Sequence, residues 1–229
     1  WRGRGAGAGT MSTGAADAVM IAIEAGCVQG WLRPLDLALV RFLRESDAQM
    51  PAAALAAAAL ASQAEGQGHP CLDLDAVHAD QGATLLLPAE AAPLLQALGT
   101  GSEAWAAMRR SAVVATPHEA AQPAPLMLDA SRLYPRRYWD MERRVAAALR
   151  SRLHRLPQAA DDAAVARWIQ RLFGAPASGD GPDAQRIACE RATRRGLTVI
   201  TGGPGTGKTT TACLLYTSPS PRDRTRSRM

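Results

Sequence analysis

The chain has 229 residues, long enough for one or two domains, and 47% of its residues are hydrophobic, which is enough for a packed core. Its net charge of +5 does not identify a partner, because the excess lies at the two ends. Residues 1–10 carry +2 and residues 213–229 carry +3, so residues 11–212 are neutral overall. A general affinity for nucleic acid therefore cannot be argued from the charge.

Both ends are predicted to be non-native. WRGRGAGAGT, residues 1–10, precedes Met11, which is the expected start of the native protein. CLLYTSPSPRD, at the start of residues 213–229, resembles the translation of a sequencing adapter, although a genuine disordered Ser/Pro/Arg tail is the alternative. We expect the native sequence to stop near Ala212 and the tail to be extended and exposed.

The cysteines show neither paired nor metal-ligand spacing: Cys27, Cys71, Cys189 and Cys213. Reduced thiols and a cytoplasmic location are therefore predicted. The apolar run at residues 18–28 is too short to span a membrane and is interrupted by Glu24, so it predicts an amphipathic helix and no membrane partner.

The first half of the chain has the pattern of a helical domain, predicted at residues 11–116. Apolar residues recur at spacings of three and four between Leu32 and Leu43, which predicts a helix with one apolar stripe. Pro51 can open a second helix, and residues 74–98 predict several short helices. We expect this domain to leave an apolar patch exposed for a protein partner.

A linker and a β-hairpin are predicted at residues 117–137. The residues before it, 111–115, have the composition of a strand, and residues 117–125 are rich in proline and alanine. LMLDASRLYP, residues 126–135, has the pattern of a β-hairpin.

The second domain is predicted to begin at residue 138 and to run to residue 212. It opens with a strong helix over residues 138–156, whose buried face is expected to contain Trp139, Val145 and Leu149. Further helices are predicted at residues 161–173 and from Asp183 to about Arg195. A strand is then predicted from Leu197 to Thr201, directly before a glycine-rich loop.

The glycine-rich loop matches the phosphate-binding pattern G-x-x-x-x-G-K-[ST]. Its glycines let backbone N–H groups turn towards phosphate oxygens, and the following helix adds its dipole. Lys208, the only lysine of the chain, is expected to contact the β- and γ-phosphates of ATP, and the Thr209 hydroxyl is expected to bind Mg²⁺. The predicted nucleotide-binding residues are Gln185, Gly202, Gly203, Pro204, Gly205, Thr206, Gly207, Lys208, Thr209 and Thr210.

Two further features have competing interpretations. Gln185 lies 23 residues before Lys208 and is a candidate reader of the adenine edge, whereas a surface glutamine is the alternative. The cluster from Arg136 to Trp139 is able to stack on single-stranded DNA, but a core tryptophan flanked by solvated arginines is the favoured interpretation.

Five segments occur in a recognisable order: WLRPLDLALVRFL, GHPCLDL, PLMLDASRLYPRRYWDMERRVA, DAQRIA and TVITGGPGTGKTTT. Together they resemble the N-terminal part of the RecD family, the alpha subunit of bacterial exodeoxyribonuclease V, over about residues 20–212. The phosphate loop alone is generic, whereas RLYPRRYW joined to it is specific. Pro135 departs from the usual leucine-like residue of that block.

The resemblance implies a mainly α N-terminal domain with a small β-hairpin element, followed by the start of an α/β P-loop (RecA-like) motor domain. It implies an ATP-dependent 5′-to-3′ DNA helicase subunit that acts with RecB- and RecC-like subunits on single-stranded DNA at duplex ends, in recombinational repair. The alternatives are a stand-alone RecD-like helicase, another P-loop ATPase, or a non-catalytic partner-docking domain. Because a P-loop ATPase also needs a later acidic residue, this stretch by itself is expected to be inactive.

Overall fold

The computed structural model describes residues 7–154, 162–174 and 183–216. It divides into two compact units, Trp1–Arg143 and Arg144–Met229. The last part of the predicted tail, residues 217–229, and the first residues of the predicted leader, 1–6, lie outside the described residues.

The first unit is mainly helical, as the sequence predicts. Its helices are α1 (Gly7–Gln29), α2 (Pro34–Ser46), α3 (Ala52–Gly66), α4 (Leu74–Ala79), α5 (Ala92–Leu98) and α6 (Gly101–Arg109), and it also contains the first turns of α7 (Arg136–His154). Short 3-10 turns separate α4 from α5. Helix α1 begins within the predicted leader.

Helix α3 forms the centre of the first unit. Its alanine-rich sequence is apolar on all sides, and every residue from Ala53 to Ala64 is buried. A helix with no polar face is stable only when other elements surround it. Helices α1, α2, α5 and α6 all pack against α3 and supply that cover.

A four-stranded sheet completes the first unit, with the order β1, β4, β3, β2. The strands are β1 (Leu72–Asp73), β2 (Val114–Ala115), β3 (Leu126–Asp129) and β4 (Arg132–Pro135). The predicted hairpin is present, because β3 and β4 pair antiparallel with Leu128 opposite Leu133. Pro135 ends β4 opposite Leu126, at the outer end of the pairing, where it fits into the strand.

The predicted buried face of α7 is only partly correct. Trp139 is buried, but Val145 and Leu149 are exposed by 59% and 40%. Successive residues of an α-helix are rotated by about 100° around the helix axis. The Val145 side chain, six residues after Trp139, is therefore rotated by about 240° from the Trp139 side chain. Apolar spacing of six and ten residues therefore does not keep these side chains on the face of Trp139.

The basic and aromatic cluster at the start of α7 is engaged in internal contacts. The guanidinium groups of Arg143 and Arg136 lie 4.6 and 5.7 Å from the centre of the Trp139 ring. Arg136 also donates hydrogen bonds to the Gln122 carbonyl and the Asp140 carboxylate. The structure therefore favours the core-anchor interpretation over stacking on DNA.

The second unit contains the rest of α7 together with α8 (Asp162–Phe173), α9 (Ala184–Thr193) and α10 (Lys208–Tyr216). Its core is formed by Val165, Trp168, Ile169 and Cys189. Helix α10 continues past Ala212 to Tyr216, and Leu214 and Leu215 pack against this core. The prediction of an extended tail is therefore wrong for residues 213–216.

The strand predicted at Leu197–Thr201 is wrong as a regular element. These residues are not paired, and the described part of the second unit contains no strand. A strand needs the backbone groups of a neighbouring strand as hydrogen-bond partners, and local β propensity cannot replace them. The α/β character of the second domain consequently stays a prediction.

None of the helices within the described residues is long and apolar enough to cross a membrane.

Candidate functional site

The glycine-rich loop folds around the ammonium group of Lys208. The Lys208 Nζ atom donates hydrogen bonds to the carbonyl oxygens of Gly202, at 2.7 Å, and Gly203, and it lies 3.4 Å from the Thr206 hydroxyl. Helix α10 begins at Lys208 itself. The loop therefore places a positive charge at the start of a helix, where the helix dipole also favours an anion.

Two glycines of the loop adopt left-handed backbone conformations. Gly205 and Gly207 have φ angles of 75° and 74°, which other residues adopt only at a cost in strain. A Cβ atom at Gly207 would also collide with the side-chain amide of Gln185, whereas one at Gly205 would meet open space. The backbone angle therefore favours glycine at position 207, and a larger residue there would displace the Gln185 amide from the loop.

Helix α9 brings Gln185 to the loop. The Asp183 side chain caps this helix by accepting hydrogen bonds from the backbone N–H groups of Gln185 and Arg186. The Gln185 amide nitrogen then lies 3.4 Å from the Thr206 carbonyl oxygen. A residue predicted from its distance along the chain is therefore a spatial neighbour of the phosphate loop.

Thr211 anchors the glycine-rich loop through the Gly207 carbonyl. This residue is buried, and its hydroxyl and its backbone N–H both donate to the Gly207 carbonyl oxygen, at 3.0 and 2.9 Å. Cys189 of α9 lies beneath the same turn, with its sulfur 4.0 Å from the Thr211 carbonyl. Burial raises the pKa of the Cys189 thiol, which keeps it protonated and unreactive at neutral pH.

A cavity of about 700 Å³ opens beside the loop, within the size range of sites for small molecules and cofactors. Its floor is the unpaired segment from Leu197 to Gly202, and one wall is α9. Gln185, Thr206 and Lys208 all line it. The cavity is mostly apolar, and its polar groups come from the loop, from α9 and from the unpaired segment.

The predicted site residues fall into two groups. Gln185, Gly202, Thr206 and Lys208 share the cavity, and Gly203 contacts the Lys208 ammonium group. The remaining predicted residues belong to the loop or the first turn of α10 but do not line the cavity: Pro204, Gly205, Gly207, Thr209 and Thr210. The Thr209 hydroxyl is on an exposed residue, next to the position of the lysine.

Among the cavity-lining residues that sequence analysis did not assign to the site are Arg191, Arg195 and Thr198. The two arginines follow Gln185 along α9 and its end. Helical spacing places Ala184, Ala188 and Arg191 on one side of α9, and Arg195 lies two residues past its end. Thr198 carries no such signal, because it lies in an irregular segment.

A family model described as the RecBCD enzyme subunit RecD, N-terminal domain, matches residues 28–134. This range covers α2 to α6 and the four-stranded sheet as far as Tyr134 in β4, and it ends before the glycine-rich loop.

Curated relatives carry the same name. RecBCD enzyme subunit RecD of Mycobacterium tuberculosis is 42% identical over 106 residues, which is 46% of this chain and 16% of the relative. RecBCD enzyme subunit RecD of Mycolicibacterium smegmatis is 34% identical over 184 residues, which is 80% of this chain and 28% of the relative. The chain thus spans less than a third of the length of these relatives. These similarities support a RecD N-terminal fragment, with the match to the N-terminal domain of that family at residues 28–134.

Proposed function

We propose that this chain is part of an ATP-dependent 5′-to-3′ DNA helicase subunit of a RecBCD-type exodeoxyribonuclease V. On this proposal the subunit works in the cytoplasm with RecB- and RecC-like partners and engages single-stranded DNA at duplex ends, in recombinational repair of double-strand breaks. The observation that carries the proposal is the phosphate loop with the Lys208 ammonium group at its centre, in a chain with a RecD N-terminal domain.

The residues of the loop fit a Mg²⁺–ATP ligand. Among the described residues, the partners of the Lys208 ammonium group are neutral oxygen atoms, so it can exchange the Gly202 and Gly203 carbonyls for the more strongly attracting oxygens of a triphosphate. The left-handed glycines allow the loop to present backbone N–H groups to the same anion.

Thr209 and Gln185 complete the proposed site. The exposed Thr209 hydroxyl stands next to Lys208 and is a ligand for Mg²⁺. Gln185 contacts the loop from α9, and its amide is suited to the N6 and N7 edge of adenine. When bound, ATP supplies the free energy that drives movement along DNA.

The test uses a protein that carries this chain at the length of its RecD relatives, called here the RecD-length protein. Lys208→Ala and Lys208→Gln should each abolish ATP hydrolysis and strand unwinding, because the triphosphate loses its charged partner. Assembly with RecB- and RecC-like subunits should be unchanged, and co-purification provides that control. Undiminished hydrolysis in either variant would contradict the proposal.

A second candidate function, partner docking by the first unit, is favoured by one observation. Leu35 and Phe42 on α2 are exposed by 59% and 60%, and Leu39 between them is only partly buried. Their spacing of four and three residues forms a stripe on one helix side, which suits insertion into a groove of a RecB- or RecC-like subunit. Loss of helicase activity on removal of the partners would favour this arrangement over a stand-alone RecD-like helicase.

A further inference from the structure

We propose that the second-unit part of α7, residues 144–154, docks into an apolar groove with an acidic rim, and that the part of the RecD-length protein beyond this chain forms that groove. The docking side chains are Val145, Leu149 and Leu153, called here the α7 stripe. Such docking goes beyond the proposed helicase function and does not require nucleotide binding by the glycine-rich loop.

The α7 stripe is apolar and open. Val145, Leu149 and Leu153 are exposed by 59%, 40% and 62%. Their spacing of four residues keeps them within about 80° of one another around the helix axis. Every residue of this segment except Ala146 is exposed, so the described residues leave the stripe uncovered. A contiguous row of large exposed apolar side chains marks a surface that binds another protein segment.

The helix also needs a partner for its own stability. Residues 144–154 extend for about 16 Å. Helices shorter than about 12–15 residues are marginal in water by themselves, and packing of an apolar face provides most of their stability in proteins. The first turns of α7 have such packing through Trp139, whereas residues 144–154 do not obtain it from the described residues. A covering surface is therefore expected in the longer protein.

The charges beside the stripe define the chemistry of the groove. At about 100° per residue, Arg152 lies about 60° to one side of Leu149 and Arg150 about 100° to the other. Both arginines are exposed, and neither forms an ion pair with another described residue. Residues 143–154 contain no Asp or Glu. An apolar floor between acidic rims therefore complements this helix, whereas a nucleic acid backbone would leave the apolar side chains without a partner.

The second unit contains another unpaired element, and this points to the source of the groove. The segment Leu197–Thr201 is unpaired and Val199 is exposed by 77%, so this segment also needs neighbours that the described residues do not supply. The match to the Mycolicibacterium smegmatis relative covers 28% of that protein, so most of a RecD-length protein lies beyond this chain. Because successive elements of a chain usually lie adjacent in space, that remainder is the expected source of both the groove and the neighbouring strands.

The test measures maleimide labelling of Leu149→Cys in this chain and in the RecD-length protein without partner subunits, with the labelled site identified by peptide mass spectrometry. Because labelling requires an exposed thiol, the introduced cysteine should react at least about tenfold more slowly in the RecD-length protein. Leu153→Cys should behave in the same way. Ser151→Cys is the matched control, since it is exposed about 200° from Leu149 and should react equally fast in both proteins.

Charge reversal tests the acidic rim. Arg150→Glu combined with Arg152→Glu should restore fast labelling of Leu149→Cys in the RecD-length protein, because like charges then face each other at the groove. Arg109→Glu combined with Arg110→Glu makes the same charge change at exposed residues of the first unit and should leave the slow labelling unchanged. Slow labelling in both double variants would overturn the proposed chemistry of the groove.

Three labelling results would overturn the docking itself. Labelling of Leu149→Cys that slows only after RecB- and RecC-like subunits are added would assign the stripe to those subunits. Fast labelling in the RecD-length protein both with and without those subunits would show that nothing covers the stripe. Equal slowing of Leu149→Cys and Ser151→Cys would show burial of the whole helix rather than docking of one face.

Discussion

The Glu65 carboxylate accepts a hydrogen bond from the Arg137 guanidinium group at 2.6 Å, although the two residues are 72 positions apart in the chain. Glu65 belongs to the last turns of α3, and Arg137 to the first turn of α7. The Tyr138 hydroxyl donates to the same oxygen at 3.0 Å, and Arg33 lies 3.5 Å from the other. One carboxylate therefore fixes the start of α7 against the centre of the first unit.

Arg33 connects this contact to a buried carboxylate. Asp36 is fully buried and accepts hydrogen bonds from the Arg33 guanidinium group, the Arg33 backbone N–H and the Ser62 hydroxyl, at 2.6–2.7 Å. The bond to Asp36 is the main reason that the pKa of Arg33 is raised. Together these groups join α2 to α3.

Asp36→Ala is expected to lower the free energy of unfolding by about 1–3 kcal/mol, because it leaves the buried Ser62 hydroxyl without its partner and removes the main partner of the partly exposed Arg33. The control is Asp17→Ala, which breaks the exposed ion pair with Arg44 and should cost about 0–1 kcal/mol. Chemical denaturation of both variants measures the difference. Equal effects of the two substitutions would contradict the structural role of Asp36.

The apolar stripe on α2 gives a prediction about assembly. Leu35→Asp combined with Phe42→Asp should leave the stability of the chain within about 0.5 kcal/mol, because both side chains are already exposed. The same variant should lose binding to RecB- or RecC-like subunits in a co-purification assay, since a charged group is costly to bury.

Leu86→Asp is the matched control for the docking variant. Leu86 is exposed by 81% and lies outside α2, so its substitution should not affect assembly. Normal assembly of the Leu35 and Phe42 variant would show that α2 is not part of the docking surface.

Alkaline conditions should destabilise the first unit through Tyr134. Burial, and to a lesser extent the neighbouring Cys71, raises the pKa of Tyr134 to about 12, above the ordinary value of about 10. Because the folded state favours the neutral phenol, its stabilising contribution is complete below about pH 10 and is lost as the pH rises towards 12.

The measurement is the denaturation midpoint of the wild-type chain and of Tyr134→Phe across this range of pH. The phenylalanine variant lacks the ionising group, so its stability should fall less steeply. Phenolate absorbance should be measured over the same pH range. In the wild type one tyrosine should ionise at a higher pH than the others, and this tyrosine should be missing from Tyr134→Phe. Parallel stability curves for the two proteins would contradict the assignment.

The packing of the second unit can be tested with thiol reagents. Cys189 is fully buried beneath the loop, and burial raises its thiol pKa, whereas Cys213 is exposed on α10. In variants that retain only one of these cysteines, a maleimide should therefore modify Cys213 much faster than Cys189. Denaturant should bring the two rates together. Equal rates without denaturant would show that this core is not packed.

Local pattern was sufficient for the elements that depend on short-range physics. The alternation in residues 126–135 predicted the β3–β4 hairpin, and the apolar spacing from Leu32 to Leu43 predicted α2. The glycine-rich loop at residues 202–209 was recognised by its residue types and their fixed spacing, and its phosphate-binding role stays a prediction. The order of five segments was sufficient for the RecD family.

Tertiary structure decided strand pairing and side-chain burial, because both depend on residues that are distant in the chain. The segment from Leu197 to Thr201 has the composition of a strand, but no strand of the described second unit pairs with it. Val145 and Leu149 lie on a different side of α7 from Trp139 and are exposed. The sequence marks neither the burial of Asp36 nor the convergence of Arg191, Arg195 and Thr198 on one cavity. Residue type and spacing determine which contacts a side chain is able to make, whereas three-dimensional packing determines which partners lie within reach.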